Sequence, residues 1–216
     1  MKHSLTNEER KALDRRVAEA EKRTGAQIVL AVIGKSDTYA ELPWKAFALG
    51  ASVAGLLALS MSIRTTLSSP VQAAFLAIVM ILSAGAGFAL LAVLAPNFAR
   101  LFLSVHRAEA ETRQYAESLF LSRQLFATRD RRAVLLMVSL FERQVVVLPD
   151  TGLVAELDET AAGRMIASMR PDLTAGRTAQ AFMAGLKSLE DIIPATGASG
   201  CPDDALPDDV IEEKGP

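Results

Sequence analysis

Reactive side chains are scarce in this chain. Cys201 is its single cysteine, and His3 and His106 are its only histidines. One cysteine forms no internal disulfide and builds no cysteine-based metal cluster. A chain without paired cysteines suits a reducing compartment. Two histidines leave no Ser/His/Asp set, and neither a glycine-rich phosphate loop nor zinc-ligand spacing is present. Met1 to Arg23 has no apolar h-region, so no signal peptide is expected. Lys and Arg number 23 against 25 Asp and Glu, for a net charge of -2, with no basic patch. That balance argues against a nucleic-acid partner. No repeat recurs at a fixed period.

Charge itself is missing from two stretches, Ala46 to Ile63 and Val71 to Ala95. At about 1.5 Å per residue, roughly 18 and 25 helical residues reach about 27 and 37 Å. A hydrocarbon core of about 30 Å is within their range. A soluble helix of such length carries a polar face, and these carry none. The expectation is a transmembrane helical hairpin in contact with the lipid bilayer. The alternative, two buried core helices, needs more chain around them than a domain this small has. Ala46, Gly50, Ala54 and Ala58 form a small-residue stripe, echoed by Ser83 and Gly87 in the second helix. Such stripes permit close helix contact, within the hairpin or through self-association at Ala46, Gly50 and Ala54. Tyr39 and Trp44 suit the membrane interface. The connecting loop has one basic residue, Arg64, whereas Lys35, Lys45, Arg100 and Arg107 lie outside the hairpin. Positive charge stays cytoplasmic, so both termini are expected in the cytoplasm of a bacterial cell, with the hairpin in the inner membrane.

The rest of the chain reads as an ordinary soluble domain. Thr6 and Glu9 have capping-box spacing, and Leu13, Val17 and Ala20 recur on one face of a first helix that Gly25 ends. Ala26 to Ile33 is short, β-branched and apolar, which predicts a buried strand. After the hairpin, Pro96 ends or kinks the second membrane helix. Phe98, Leu101, Phe102, Val105, Thr112, Tyr115, Leu119 and Phe120 then keep a helical period and predict one long amphipathic helix. His106 lies on it as a surface or headgroup residue. Ala133 to Leu140 and Gln144 to Leu148 predict a strand pair joined by a hairpin, followed by a turn at Pro149 to Gly152. Leu157 to Met169 marks a helix stopped before Pro171, and Thr174 to Ile193 a last one. From Pro194 onward little can be buried, so residues 195–216 are expected to form an acidic, loosely attached tail.

These elements predict an α/β fold: a small mixed β-sheet packed by helices, with the two-helix transmembrane hairpin inserted after the first strand. Residues 1–42 and 96–194 form the domain, and 43–95 the hairpin. A long crossover favours parallel pairing of strands one and two, and strand three returns antiparallel. One sheet edge then collects Gly25, Gln27, the approach from Thr128 to Arg132, and Asp150. Thr128, Asp130, Arg131 and Asp150 are the candidate polar site. An Arg there could neutralise phosphate, and a carboxylate, Asp150 first, could hold a cation; the first expectation is no cofactor, with calcium or magnesium as the alternative. The competing explanation is local: Asp150 caps the Pro-Asp-Thr-Gly turn and pairs with Arg131. Asp37 is read as a turn residue. The run from Asp203 to Glu213 is read as solvated charge, with cation binding as the alternative.

TGAQIVLAV (Thr24 to Val32), SDTY (Ser36 to Tyr39), TRDRRAVLLMVSLFERQVVVLPDTGL (Thr128 to Leu153) and DDALPDDVI (Asp203 to Ile211) together resemble the TPM domain family. The resemblance is to its membrane-embedded subgroup and covers nearly the whole chain. It implies a TPM-like α/β fold. It also implies the roles attributed to relatives: accessory work in membrane complexes, weak acid phosphatase activity, and calcium binding. Many relatives carry the domain outside the cytoplasm, whereas this chain is expected to keep it inside. The expectation is therefore a membrane protein with a cytosolic binding or accessory module for membrane protein assembly or maintenance. Its partners would be other membrane proteins. The alternative is a weak metal-dependent phosphatase acting on phosphomonoesters.

Overall fold

The computed structural model describes residues 5–64, 69–128, 130–194 and 210–215. The chain forms two compact units, Met1–Ser36 with Glu109–Pro216, and Asp37–Ala108.

The first unit is built on a four-stranded sheet in the order β3-β2-β1-β4. Its strands are β1 (Gln27–Ile33), β2 (Ala133–Ser139), β3 (Gln144–Pro149) and β4 (Ile211–Glu213). β1 pairs parallel with β2, Gln27 beside Ala133 and Ile33 beside Ser139. β2 pairs antiparallel with β3. Every residue of β1 and β2 is buried, which is how central strands covered on both faces read in sequence: as apolar runs without alternation. The faces still alternate. Ile28, Leu30, Val32, Val134, Leu136 and Val138 pack under α1 (Asn7–Thr24), α6 (Glu159–Thr174) and α7 (Thr178–Ile192). Val29, Ala31, Ile33, Leu135 and Met137 pack under α5 (Val105–Ser122) through Ala116, Leu119 and Phe120. The expected mixed sheet packed by helices is present.

The cap on α1 follows its sequence. The Glu9 N–H donates to Thr6 Oγ1 at 3.2 Å, and the Thr6 N–H donates to Glu9 Oε2 at 2.9 Å. Gly25 closes the helix in the left-handed region at φ 64°, where glycine carries no Cβ penalty.

The second unit holds α2 (Glu41–Arg64) and α3 (Pro70–Leu94). They are long and apolar enough to cross a membrane by length and composition. They pack antiparallel along one stripe. A Cβ at Gly50 would meet the Ala84 carbonyl oxygen at 2.8 Å, and one at Gly85 would meet the Phe47 ring at 2.7 Å. Ala46, Gly50 and Ala54 are buried in this packing. Ser83 and Gly87 face outward instead. The remaining surface is exposed hydrocarbon, with Leu56 at 71%, Phe75 at 66% and Leu94 at 71% of full exposure.

Four further sequence expectations need correction. The long amphipathic helix is broken. α4 (Pro96–Ala99) and a 3-10 turn (Arg100–Phe102) come first, and extended Leu103 separates them from α5. Leu101 and Val105, expected inward, are 76% and 64% exposed. α6 does not stop before Pro171. Proline there removes a single hydrogen bond one turn from the helix end, and the helix runs on to Thr174. α7 begins at Thr178, not Thr174, because Gly176 at φ 74° interrupts the chain.

The fourth correction concerns the tail. Residues 195–209 lie outside the described residues, but 211–213 are no loose end. They form β4, parallel to β1, and Val210 is buried at 4% exposure. The two glutamates that made this stretch look solvated are anchored on opposite faces of the sheet. Glu212 accepts from the Leu5 N–H and from Arg10 Nη2, both at 2.6 Å. Glu213 accepts from the Tyr115 hydroxyl at 2.5 Å.

Candidate functional site

Strand direction decides what meets at each end of the sheet. At one end β1 and β2 begin and β3 finishes. The Gln27 N–H donates to the Arg132 carbonyl and the Asp150 N–H to the Ala133 carbonyl, both at 2.8 Å. The approach to β2 makes a turn in which the Arg131 N–H donates to the Thr128 carbonyl at 3.1 Å. Arg131 itself sits in the left-handed region at φ 54°, a conformation that side-chain-bearing residues adopt only when the surroundings over-determine it. The constraint here is Gly152. Its N–H donates to the Arg131 carbonyl at 2.9 Å, and a Cβ at 152 would lie 2.5 Å from the Asp130 carbonyl oxygen. The Asp-x-Gly spelling of the turn after β3 thus reflects close backbone approach.

This geometry brings Arg131 onto Asp150. Nε and Nη2 reach the same oxygen, Oδ1, at 3.1 and 2.8 Å. Oδ1 also accepts the Thr151 N–H at 2.7 Å, which caps the turn. Asp150 is 4% exposed. Its other oxygen, Oδ2, is buried with no hydrogen-bond partner in the protein, and so is Thr128 Oγ1. The Arg131 guanidinium also stands 5.9 Å above the Phe126 ring. Of the four residues singled out from sequence, Arg131 and Asp150 are joined and Thr128 lies in the same turn. Asp130 is exposed and brings its backbone carbonyl against Gly152.

A divalent cation fits this donor set poorly. Calcium takes six to eight oxygens, usually with several carboxylates, and the guanidinium already neutralises the single buried carboxylate. Among the described residues no three His, Cys, Asp or Glu side chains converge on one point. The chemistry left to the site is hydrogen bonding: two buried acceptor positions, Asp150 Oδ2 and Thr128 Oγ1, with a cation fixed beside them.

The opposite end of the sheet holds a second polar cluster that the sequence reading missed. Glu142, 8% exposed, accepts at Oε1 from the Ser36 N–H at 2.8 Å and the Ser36 hydroxyl at 2.6 Å. Its Oε2 accepts from the Ser139 hydroxyl. Ser36 Oγ and Thr112 Oγ1 lie 3.4 Å apart. Several donors holding one buried carboxylate offset its desolvation. The signal was available: parallel pairing sets Ile33 beside Ser139, so Ser36 and Glu142, each three residues further on, leave the sheet side by side.

On α1 and α7 the Glu190 side chain, 4% exposed, is held by Arg16 Nη1 at 2.5 Å and Arg23 Nη1 at 2.8 Å. The hydrogen bond from Arg16 is the main cause that holds its carboxyl below the usual range. Burial, then the bond to Glu213, pushes the Tyr115 hydroxyl up to about 12.

The family model described as the TPM domain matches residues 82–192, half of the chain. The match opens inside α3 and takes in β2, β3, α5, α6 and α7. β1 falls outside it, parted in sequence by α2 and α3. Among solved structures the chain is similar to the NMR structure of the BA42 protein from the psychrophilic bacterium Bizionia argentinensis. The TM-score is 0.56 at 13% identity, over 98% of this chain and 97% of that one. At that identity the likeness is one of fold. No curated protein matches the chain.

Proposed function

The chain belongs to the TPM domain family, and on that premise we propose that it is an integral membrane protein whose TPM domain is a binding or accessory module. In this reading α2 and α3 cross the inner membrane of a bacterial cell as a hairpin, and both termini are cytoplasmic. The domain assists assembly or maintenance of neighbouring membrane proteins. The observation that carries the reading is the surface of α2 and α3. Apart from the one stripe where they touch, they present exposed leucine, valine, isoleucine and phenylalanine over their length. Water would penalise that surface at roughly 25 cal/mol per Å², whereas hydrocarbon would not. The first unit needs no such cover, since its own helices bury both faces of its sheet. Orientation is supported by the basic residues: Lys45, Arg100 and Arg107 lie at the ends of the hairpin nearest the domain in sequence, where the positive-inside rule puts the cytoplasm.

The test is extraction of membranes at alkaline pH. The reading expects the chain to stay with the bilayer through carbonate and leave it in detergent. Release into the carbonate supernatant would contradict it.

A second reading, a weak metal-dependent phosphomonoesterase assisted by calcium or magnesium, draws on the two unpartnered acceptors at Asp150 and Thr128. The donor set counts against it. Its test is hydrolysis of a generic phosphomonoester with added magnesium, calcium or manganese, comparing the parent with Asp150→Asn. Metal-dependent turnover lost in that variant would favour the enzyme over the accessory module.

A further inference from the structure

Within the second unit, acidic residues are nearly absent. Residues 37–108 contain two, Asp37 and Glu41, against four Lys and Arg: Lys45, Arg64, Arg100 and Arg107. Both acids bind one of those cations. Arg107 Nη2 lies 3.2 Å from Asp37 and Nη1 lies 3.0 Å from Glu41. Arg107 also stands 5.9 Å above the Tyr39 ring. The acids of this unit are therefore taken up by a single arginine.

Lys45 and Arg100 are brought to the same end of the hairpin. Lys45 Nζ donates to the Phe102 carbonyl at 3.2 Å, and Arg100 Nη1 donates to Asn97 Oδ1 at 2.8 Å. The aromatic residues fix this arrangement. Phe98 stacks edge-on against Phe88 of α3 at 5.8 Å and against Phe102 at 5.3 Å. Pro96 turns the chain out of α3 so that α4 and the following 3-10 turn fold back against α2. The segments that meet here, a collar at this end of the hairpin, also expose apolar side chains: Trp44 is 72% exposed, Leu101 76% and Val105 64%. Trp44 leans on Phe47 at 6.2 Å.

A ring that is cationic, without unpaired acid, and edged with an exposed tryptophan and leucine has the chemistry of the boundary between headgroups and acyl chains. We propose that this collar is a docking surface for anionic phospholipid headgroups, with Lys45 and Arg100 on the phosphates and Trp44, Leu101 and Val105 among the upper acyl carbons. The occupant is set by charge complementarity: each cation near an anionic surface favours it by about fivefold. The inference rests on the membrane reading above and adds headgroup selectivity to it.

Trp44 is the only tryptophan of the chain, so its fluorescence reports on the collar alone. The full chain is reconstituted into phosphatidylcholine vesicles that carry a small fraction of brominated lipid, either phosphatidylcholine or phosphatidylglycerol. Bromine quenches tryptophan on contact. The expected result is several-fold stronger quenching of Trp44 per mole of brominated phosphatidylglycerol, lost in the Lys45→Gln, Arg100→Gln double variant. Raised salt should also remove the preference in the parent chain, since it screens exposed charges, and that arm needs no substitution. Equal quenching by the two lipids in the parent at low salt would overturn headgroup selectivity and leave the membrane reading intact. A preference that survives both salt and the double substitution would overturn the roles of Lys45 and Arg100. Quenching by neither lipid would overturn the membrane reading together with the inference.

Discussion

Arg131 places both arms of its fork on one oxygen of Asp150, at 3.1 and 2.8 Å, and leaves the other oxygen buried and unpartnered. The pair therefore holds the turn together and still offers an acceptor. Arg131 is about half exposed, so solvent screens its contribution. Arg131→Met is expected to cost about 1–2 kcal/mol, mainly by stranding the buried Asp150 charge. Urea unfolding of the detergent-solubilised chain measures it. A change within error would mean that the turn is held by its backbone alone.

Two glycines give opposite expectations. A Cβ at Gly152 would press on the Asp130 and Arg131 carbonyl oxygens at 2.5 and 2.7 Å, both backbone atoms that cannot swing aside. Gly152→Ala is expected to destabilise by about 1–3 kcal/mol. Gly163, inside α6, has nothing within 4 Å. Gly163→Ala is expected to stabilise by about 0.5–1 kcal/mol through helix propensity. Thermal melts of the two variants should shift in opposite directions.

Tyr115 ties α5 to the C-terminal strand by its bond to Glu213. Its folded pKa is raised from an ordinary 10 to about 12. A raised value means the stabilisation is complete below pH 10 and is lost as pH climbs towards 12. Absorbance titration of phenolate should show a component near pH 12 that disappears in Tyr115→Phe, and that variant should lose the corresponding alkaline fall in stability. A normal midpoint near 10 would mean that the hydroxyl is neither buried nor bonded to Glu213.

Glu190 has the opposite sign. Its pKa is lowered, mainly by the hydrogen bond from Arg16. The stabilisation is therefore present above its ordinary value near 4.5 and is lost as pH falls through the lower, folded value. Glu190→Gln should be less stable than the parent at neutral pH, and the difference should shrink in acid. A difference independent of pH would assign the effect to packing.

Much of this fold was legible because its signals are local. Apolar runs without alternation marked β1 and β2, and the Thr6–Glu9 spacing marked the cap of α1. The charge-free stretches marked α2 and α3. The meeting of Arg131 with Asp150 followed from strand direction alone. β4 was not legible. Ile211–Glu213 is three residues long and two are glutamates, and the tertiary partners Leu5, Arg10, Tyr115 and Arg123 are what hold that half-buried strand. The break at Leu103 was hidden because Leu101 and Val105 keep the helical period although both face outward. Glu142 looked like a loop residue because its three donors come from Ser36 and Ser139, one of them distant in sequence.

In the proposed topology α2 and α3 cross the bilayer as a hairpin and both termini lie in the cytoplasm. Paired C-terminal fusions distinguish the two orientations: alkaline phosphatase, active only outside the cytoplasm, and green fluorescent protein, fluorescent inside it. Bright fluorescence from one fusion and inactive phosphatase from the other, both in the membrane fraction, is the expected result. Active phosphatase with a dark fluorescent fusion would place the domain on the far side and contradict the account.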